Sequence, residues 1–121
     1  MSAASDAGST GGTDGAGGTD RVLGGVGTKV LFENEYCRVW EMDLAPGEAG
    51  AVHRHDHPYV LVILDGDRIA AVPEPDSAVH GEYLEVDVRT PMVVEMPPGG
   101  IETAKNVGER RYYELLIEIL K

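Results

Sequence analysis

From Thr28 to the C-terminus the sequence is cut into short β-branched and aromatic segments by Gly, Pro, Asn and Asp corners, and this rhythm limits the fold more than any other feature. The segments read TKVLFE, YCRVWEMDL, AVHRH, YVLVILDG, RIAAVP, EYLEVDV, PMVVEMP, ETAKN and RRYYELLIEIL, with turns at APGEAG, LDGD, PEPDSAVHG, PPGG and NVGER. Each turn carries residues that tolerate the sharp backbone of a corner. No segment sustains the helical period of about 3.6 residues, so no long helix is expected. Evenly spaced short strands predict an all-β antiparallel sandwich or barrel.

Two strands carry information about faces. In YVLVILDG both parities are apolar, with Tyr59, Leu61 and Ile63 on one side and Val60, Val62 and Leu64 on the other. A strand apolar on both faces needs a second covering surface, and a homodimer is the expected supplier. In the last strand Tyr113, Leu115, Ile117 and Ile119 share one side, with Glu114 and Glu118 among the other set. That pattern predicts a half-buried strand whose glutamate face is mostly wet.

The first twenty residues, MSAASDAGSTGGTDGAGGTD, offer almost nothing apolar to bury and are expected to be disordered. The chain therefore divides into a Gly/Ser/Thr-rich acidic tail over residues 1–24 and one domain over residues 25–121. No signal or transit peptide is recognisable. No apolar run approaches the roughly 20 residues that span a bilayer, and a soluble, cytoplasmic protein is expected. The formal net charge is −11, and the first twenty residues contribute Asp6, Asp14 and Asp20 without a Lys or Arg, leaving −8 on the rest. Nucleic acid and anionic membranes are excluded as partners, because both require a basic face. The single cysteine, Cys37, rules out an internal disulfide framework and is expected to be a small buried hydrophobe.

Three of the four histidines lie at alternate positions in HRHDH, directly ahead of the long apolar run. In an extended strand, residues two apart point the same way, so His53 and His55 share a face and can converge on one ion. Neutral imidazole is the commonest protein ligand for divalent transition metals. A solvated polar turn aided by Arg54 and Asp56 is the alternative reading of the same window.

The wider register resembles the cupin superfamily. Its first motif is a Gly, five residues, His, one residue, His, three or four residues, Glu, six residues, Gly. Here Gly47, His53, His55, Tyr59 and Gly66 keep every spacing, with Tyr59 in the place of Glu. The second motif is a Gly, five residues, Pro, one residue, Gly, two residues, His, three residues, Asn. Here Pro91, Pro97, Gly99, Glu102 and Asn106 keep the frame, with Pro91 for the first Gly and Glu102 for the His. The resemblance implies a jelly-roll, or double-stranded β-helix, barrel.

Carried over residue by residue, the resemblance implies a site of His53, His55, Tyr59 and Glu102, for one divalent transition metal. Two histidines and one carboxylate match the donor set of non-haem Fe(II) oxygenases, so Fe(II) is favoured, with Zn, Mn or Ni also compatible. Tyr59 is a candidate ligand, hydrogen bonder, catalytic acid or base, or pocket wall. His57, ahead of Pro58, is a candidate ligand in place of the missing Glu, or a proton shuttle at the rim. Leu61, Ile63, Met42 and Trp40 are expected to line or support the pocket, and His80 to lie on the surface. Two function classes follow. One is a metal-dependent enzyme on a small organic substrate, with dioxygenase-type chemistry slightly favoured over lyase or isomerase chemistry. The other is a non-catalytic cupin that binds a small ligand or a metal.

Overall fold

The computed structural model describes residues 22–79 and 82–121. Residues 1–21 of the tail expected over 1–24, and the surface position expected for His80, lie outside the described residues. Among the described residues there are nine strands and no helix, hence no helix long and apolar enough to cross a membrane. In chain order the strands are β1 Lys29–Glu33, β2 Cys37–Leu44, β3 His53–Arg54, β4 Tyr59–Asp65, β5 Arg68–Pro73, β6 Leu84–Asp87, β7 Met92–Met96, β8 Ile101–Asn106 and β9 Tyr112–Ile119. Each falls on one of the segments read from the sequence. Only AVHRH shrinks to a two-residue ladder, and even there the His55 N–H still donates to the Gly100 carbonyl at 2.9 Å.

All pairings between strands are antiparallel, in a five-stranded sheet of order β1-β2-β9-β4-β7 and a four-stranded sheet of order β3-β8-β5-β6. This is the expected double-stranded β-helix: consecutive strands β4 and β5 lie in different sheets, and the apolar faces enclose the core. Gly66 makes the crossing between them at φ +135°, where a Cβ would lie 2.9 Å from the Tyr112 ring. A side chain there would meet both the backbone restriction and a core tyrosine. The core has two clusters, one of Met42, Leu44, Ile63, Val88 and Tyr112 and one of Val26, Tyr59 and Leu116.

The last strand corrects the sequence reading. Tyr112, Glu114, Leu116 and Glu118 are the buried set of β9, whereas Tyr113, Leu115 and Ile117 are half-buried and Ile119 is exposed. Register explains the inversion: Glu114 lies opposite Met42 and Ile63, and Leu116 opposite Trp40 and Leu61, all inward-facing. Each glutamate has at least one donor, which offsets part of the cost of its burial. Glu118 accepts the Trp40 indole N–H at 2.7 Å and an Arg38 N–H at 3.1 Å, while Glu114 accepts the Tyr112 hydroxyl. Cys37 is half-buried rather than buried, because it begins β2 opposite the exposed Ile119.

Asn106, the last residue of the second motif, is fully buried and holds the turn into β9. Its amide donates to the carbonyls of Leu44 at 3.0 Å and Arg110 at 2.7 Å, and its oxygen accepts from Gly108 N–H at 2.9 Å. Its role is structural.

Candidate metal centre

The two motifs meet because β3 and β8 are neighbours, with His53 directly opposite Glu102. Past the end of β3 the pairing continues through His55 and Gly99–Gly100, with Gly99 N–H donating to the His55 carbonyl at 2.8 Å. His53 and His55 both point into the barrel, while Arg54 and Asp56 between them are exposed and paired to each other at 2.7 Å. Strand alternation therefore separates the ring-bearing positions from the solvated ones.

Both imidazoles are 2% exposed, their ring centroids 4.8 Å apart and their planes nearly perpendicular. Nδ1 of His53 lies 2.9 Å from the Ala51 carbonyl and donates to it in the neutral ring, which leaves the Nε2 lone pair for a ligand. Burial lowers the pKa of His53, and burial together with the His53 charge pushes His55 down to about 3. Both rings are neutral at neutral pH and present lone pairs. His55 Nε2 lies 3.9 Å from Glu102 Oε2, too far for a hydrogen bond. Two acceptors at that spacing suit a shared cation.

The donor atoms of His53, His55 and Glu102 all lie within 4.8 Å of one another. Ligands about 2.1 Å from one ion can be at most about 4.2 Å apart, so small side-chain rotations suffice to bring the three onto it. Buried Nδ1 of His55 has no hydrogen-bond partner among the described residues. Such orphans are rare in folded proteins and call for a water, an ion or a ligand. The residues fit a divalent metal.

Tyr59, at the start of β4, stacks on His55 with centroids 3.8 Å apart and planes at 13°. Burial, then the charges of Glu102 and Glu114, raise its pKa, so the phenol stays protonated. His57 is half-buried at the bend before Pro58 and stands outside both the donor group and the cavity lining. The cavity beside the donors has a volume of about 230 Å³ and walls that include Leu61, Ile63, Met42 and Met92. Trp40 supports it from behind, packed on the Val26–Tyr59–Leu116 cluster.

One polar pair in this cavity was not foreseen from the sequence. Glu114 lines the same space, is 4% exposed and accepts from Tyr112, itself 1% exposed. Burial pushes the Glu114 carboxyl up to about 7, with repulsion from Glu102 adding and the Tyr112 hydrogen bond opposing. The signal that reveals it is cross-strand register, since Glu114 falls between two residues already read as pocket-facing, Met42 and Ile63.

A protein-family model described as auxin binding protein matches residues 15–121. No curated protein matches the sequence. Solved structures similar to this chain include a cupin domain from Bordetella pertussis, 21% identical over 75% of this chain and 88% of that one, with a TM-score of 0.64. An RmlC-like cupin family protein with a double-stranded β-helix fold, from Methanocaldococcus jannaschii, is 15% identical over 75% of this chain and 76% of its own, with a TM-score of 0.61. A cupin superfamily protein from Desulfitobacterium hafniense is 14% identical over 82% and 84%, with a TM-score of 0.55. At these identities the likeness carries the fold.

Proposed function

Because the chain belongs to the auxin binding protein family, a cupin-type family, we propose that it holds one divalent transition metal through His53, His55 and Glu102 and acts on a small organic molecule admitted to the barrel. The observation that carries this reading is the convergence of three buried or part-buried donors, within 4.8 Å of one another, on one wall of an apolar cavity. A bound ion supplies Lewis acidity and, if it is iron, redox chemistry with dioxygen. Three protein donors leave further coordination positions for substrate.

The chain's own residues then have separable tasks. His53 is fixed in one tautomer by the Ala51 carbonyl, and His55 is held flat by Tyr59. Tyr59 keeps its proton, so it serves as a hydrogen-bond donor or acid at the mouth of the donor group rather than as a base. The apolar walls exclude water and strengthen every electrostatic contact inside. The two-histidine, one-carboxylate set favours Fe(II) and oxygenase chemistry, while Zn, Mn or Ni in the same set favours lyase or isomerase chemistry.

A second reading, a non-catalytic binder, is favoured by the description of the matching family. The test is anaerobic loading with Fe(II), Zn, Mn or Ni, followed by a screen of small carbonyl and hydroxy acids for dioxygen uptake and for conversion. Uptake that needs iron and is lost in Glu102→Gln supports the oxygenase. Tight ligand binding without turnover under any of the four metals favours the binder.

In this reading the chain pairs as a homodimer. The outer face of the five-stranded sheet carries a cross-strand row of Phe32, Val39, Ile117 and Val60, beside Leu115, Val62 and Val93. Val93 is 66% and Phe32 54% exposed. A contiguous apolar sheet face of this kind suits association with a second copy.

A further inference from the structure

The barrel interior contains a second polar feature that the metal reading does not use. Glu114 and Glu118 sit on the same strand, point the same way and are each 4% exposed. Their surroundings differ. Glu118 is held by two donors, Trp40 and Arg38, and lies outside the cavity lining. Glu114 lies between Met42 and Ile63, and among the described residues its one hydrogen bond comes from the Tyr112 hydroxyl.

A carboxylate offers about four acceptor positions on its two oxygens, so one donor leaves most of its capacity unmet on the cavity side. Burying such a group among apolar side chains is costly without compensation. A leucine would pack at this position, as Leu116 does two residues on. No Lys or Arg among the described residues lines the cavity to neutralise it. A molecule that enters the cavity can supply a partner to the oxygen that Tyr112 does not engage.

We propose that Glu114, oriented by Tyr112, is a ligand-anchoring carboxylate that takes an N–H or O–H donor on a small amphipathic molecule. The ligand is an amine or a hydroxylated compound with an apolar middle, seated against Leu61, Met92 and Val94. Its other end, a carboxylate or similar group, faces the metal donors, and this half of the description rests on the metal reading above. The cavity of about 230 Å³ lies below the range of about 300–1,000 Å³ usual for drug-sized ligands, which limits the molecule to a small metabolite. With a metal ion neutralising Glu102, Glu114 also sets direction, because an anionic end is repelled from it.

The test uses short straight-chain carboxylates from butanoate to hexanoate, each as the ω-amino form, the ω-hydroxy form and the methyl-terminated isostere. Binding to zinc-loaded and metal-free wild type is measured by calorimetry, together with zinc content. A charge-assisted hydrogen bond predicts that the amino or hydroxy form binds roughly tenfold or more tightly than its methyl isostere. Glu114→Gln should cut that ratio to about twofold or less while zinc content is unchanged. The stronger of the two forms tells an ammonium ligand from a hydroxylated one. No preference at any length, or a preference that survives Glu114→Gln, overturns the proposal. The preference is a ratio between isosteres, so it is read with or without zinc. Failure of the wild type to hold zinc would overturn the metal reading and leave the ratio to decide the anchor. The double variant Tyr112→Phe with Glu114→Leu gives a second readout. A carboxyl kept for a ligand predicts an equal or higher Tm once both polar groups are gone, whereas a fall of several degrees would mean that the fold itself needs the pair.

Discussion

Replacing Glu114 with Gln isolates the pH dependence of a single buried carboxyl. Its pKa is pushed up to about 7 from an ordinary 4.5, mainly by burial. The unfolded chain keeps the ordinary value. Between the two, the native state retains a proton that the unfolded chain has released, so stability falls as pH rises. The group costs nothing below about pH 4.5, where both states are protonated, and its full penalty is present above about pH 7. At about 1.36 kcal/mol per pH unit of pKa difference, the gap amounts to about 3 kcal/mol. The assay is urea unfolding of metal-free protein at a series of pH values across this window, for wild type and Glu114→Gln. Carboxyls remote from Glu114 titrate alike in both proteins and cancel in the difference, which leaves Glu114 and its repulsion with Glu102. Wild type should lose about 3 kcal/mol relative to the variant, most of it between pH 4.5 and 7. A difference flat to within about 0.5 kcal/mol, the usual noise of independent sites, would refute the placement of an ionisable carboxyl in the barrel interior. A divalent ion beside Glu102 removes part of the repulsion on Glu114, so the loss should be smaller in metal-loaded protein.

Three further outcomes follow from the geometry. His57→Ala and Tyr59→Phe should both retain metal, because His57 stands outside the donor group and Tyr59 contacts it by stacking on His55; metal lost from either in elemental analysis would add that residue to the ligand set. Trp40→Phe removes one of the two donors to buried Glu118 and should cost about 1–3 kcal/mol in chemical denaturation, an effect absent if water replaces the indole N–H. Val93→Glu places a charge on the exposed apolar sheet face and should convert a dimer to monomers in analytical ultracentrifugation; an unchanged mass would move the interface elsewhere.

Much of this arrangement was legible in the sequence, for reasons that differ between elements. The strands β1, β2, β4, β5 and β7 to β9 are bounded by Gly, Pro, Asn or Asp corners, and their spans lie within a residue or two of the segments read from composition. Gly47, Gly66 and Gly99, three motif positions, all adopt positive φ in the structure, so the motif frame encodes turns as well as ligands. Alternation, a local property, put His53 and His55 on one face, whereas their meeting with Glu102 on a distant strand was legible through the resemblance to the cupin motifs. The faces of β9 were not. Two glutamates on one parity read as water-facing, and the pairing of Glu118 with Trp40 and of Glu114 with Tyr112 offsets part of the cost of burying them. Such partners lie in part on other strands and leave no periodic trace. The dimer expected from the two apolar parities of β4 is in the same position, since Val60 and Val62 face outward but nothing within one chain identifies what covers them.

The proposed metal site is the group of His53, His55 and Glu102 that the altered cupin motifs bring together. It is tested most directly by metal content per chain in wild type and His53→Ala, each purified without an affinity tag and reconstituted anaerobically with Fe(II), Zn, Mn and Ni in turn. Close to one ion per chain is expected for at least one metal in wild type, and almost none in the variant. No metal in wild type under any of the four conditions, or equal metal in both proteins, would contradict it.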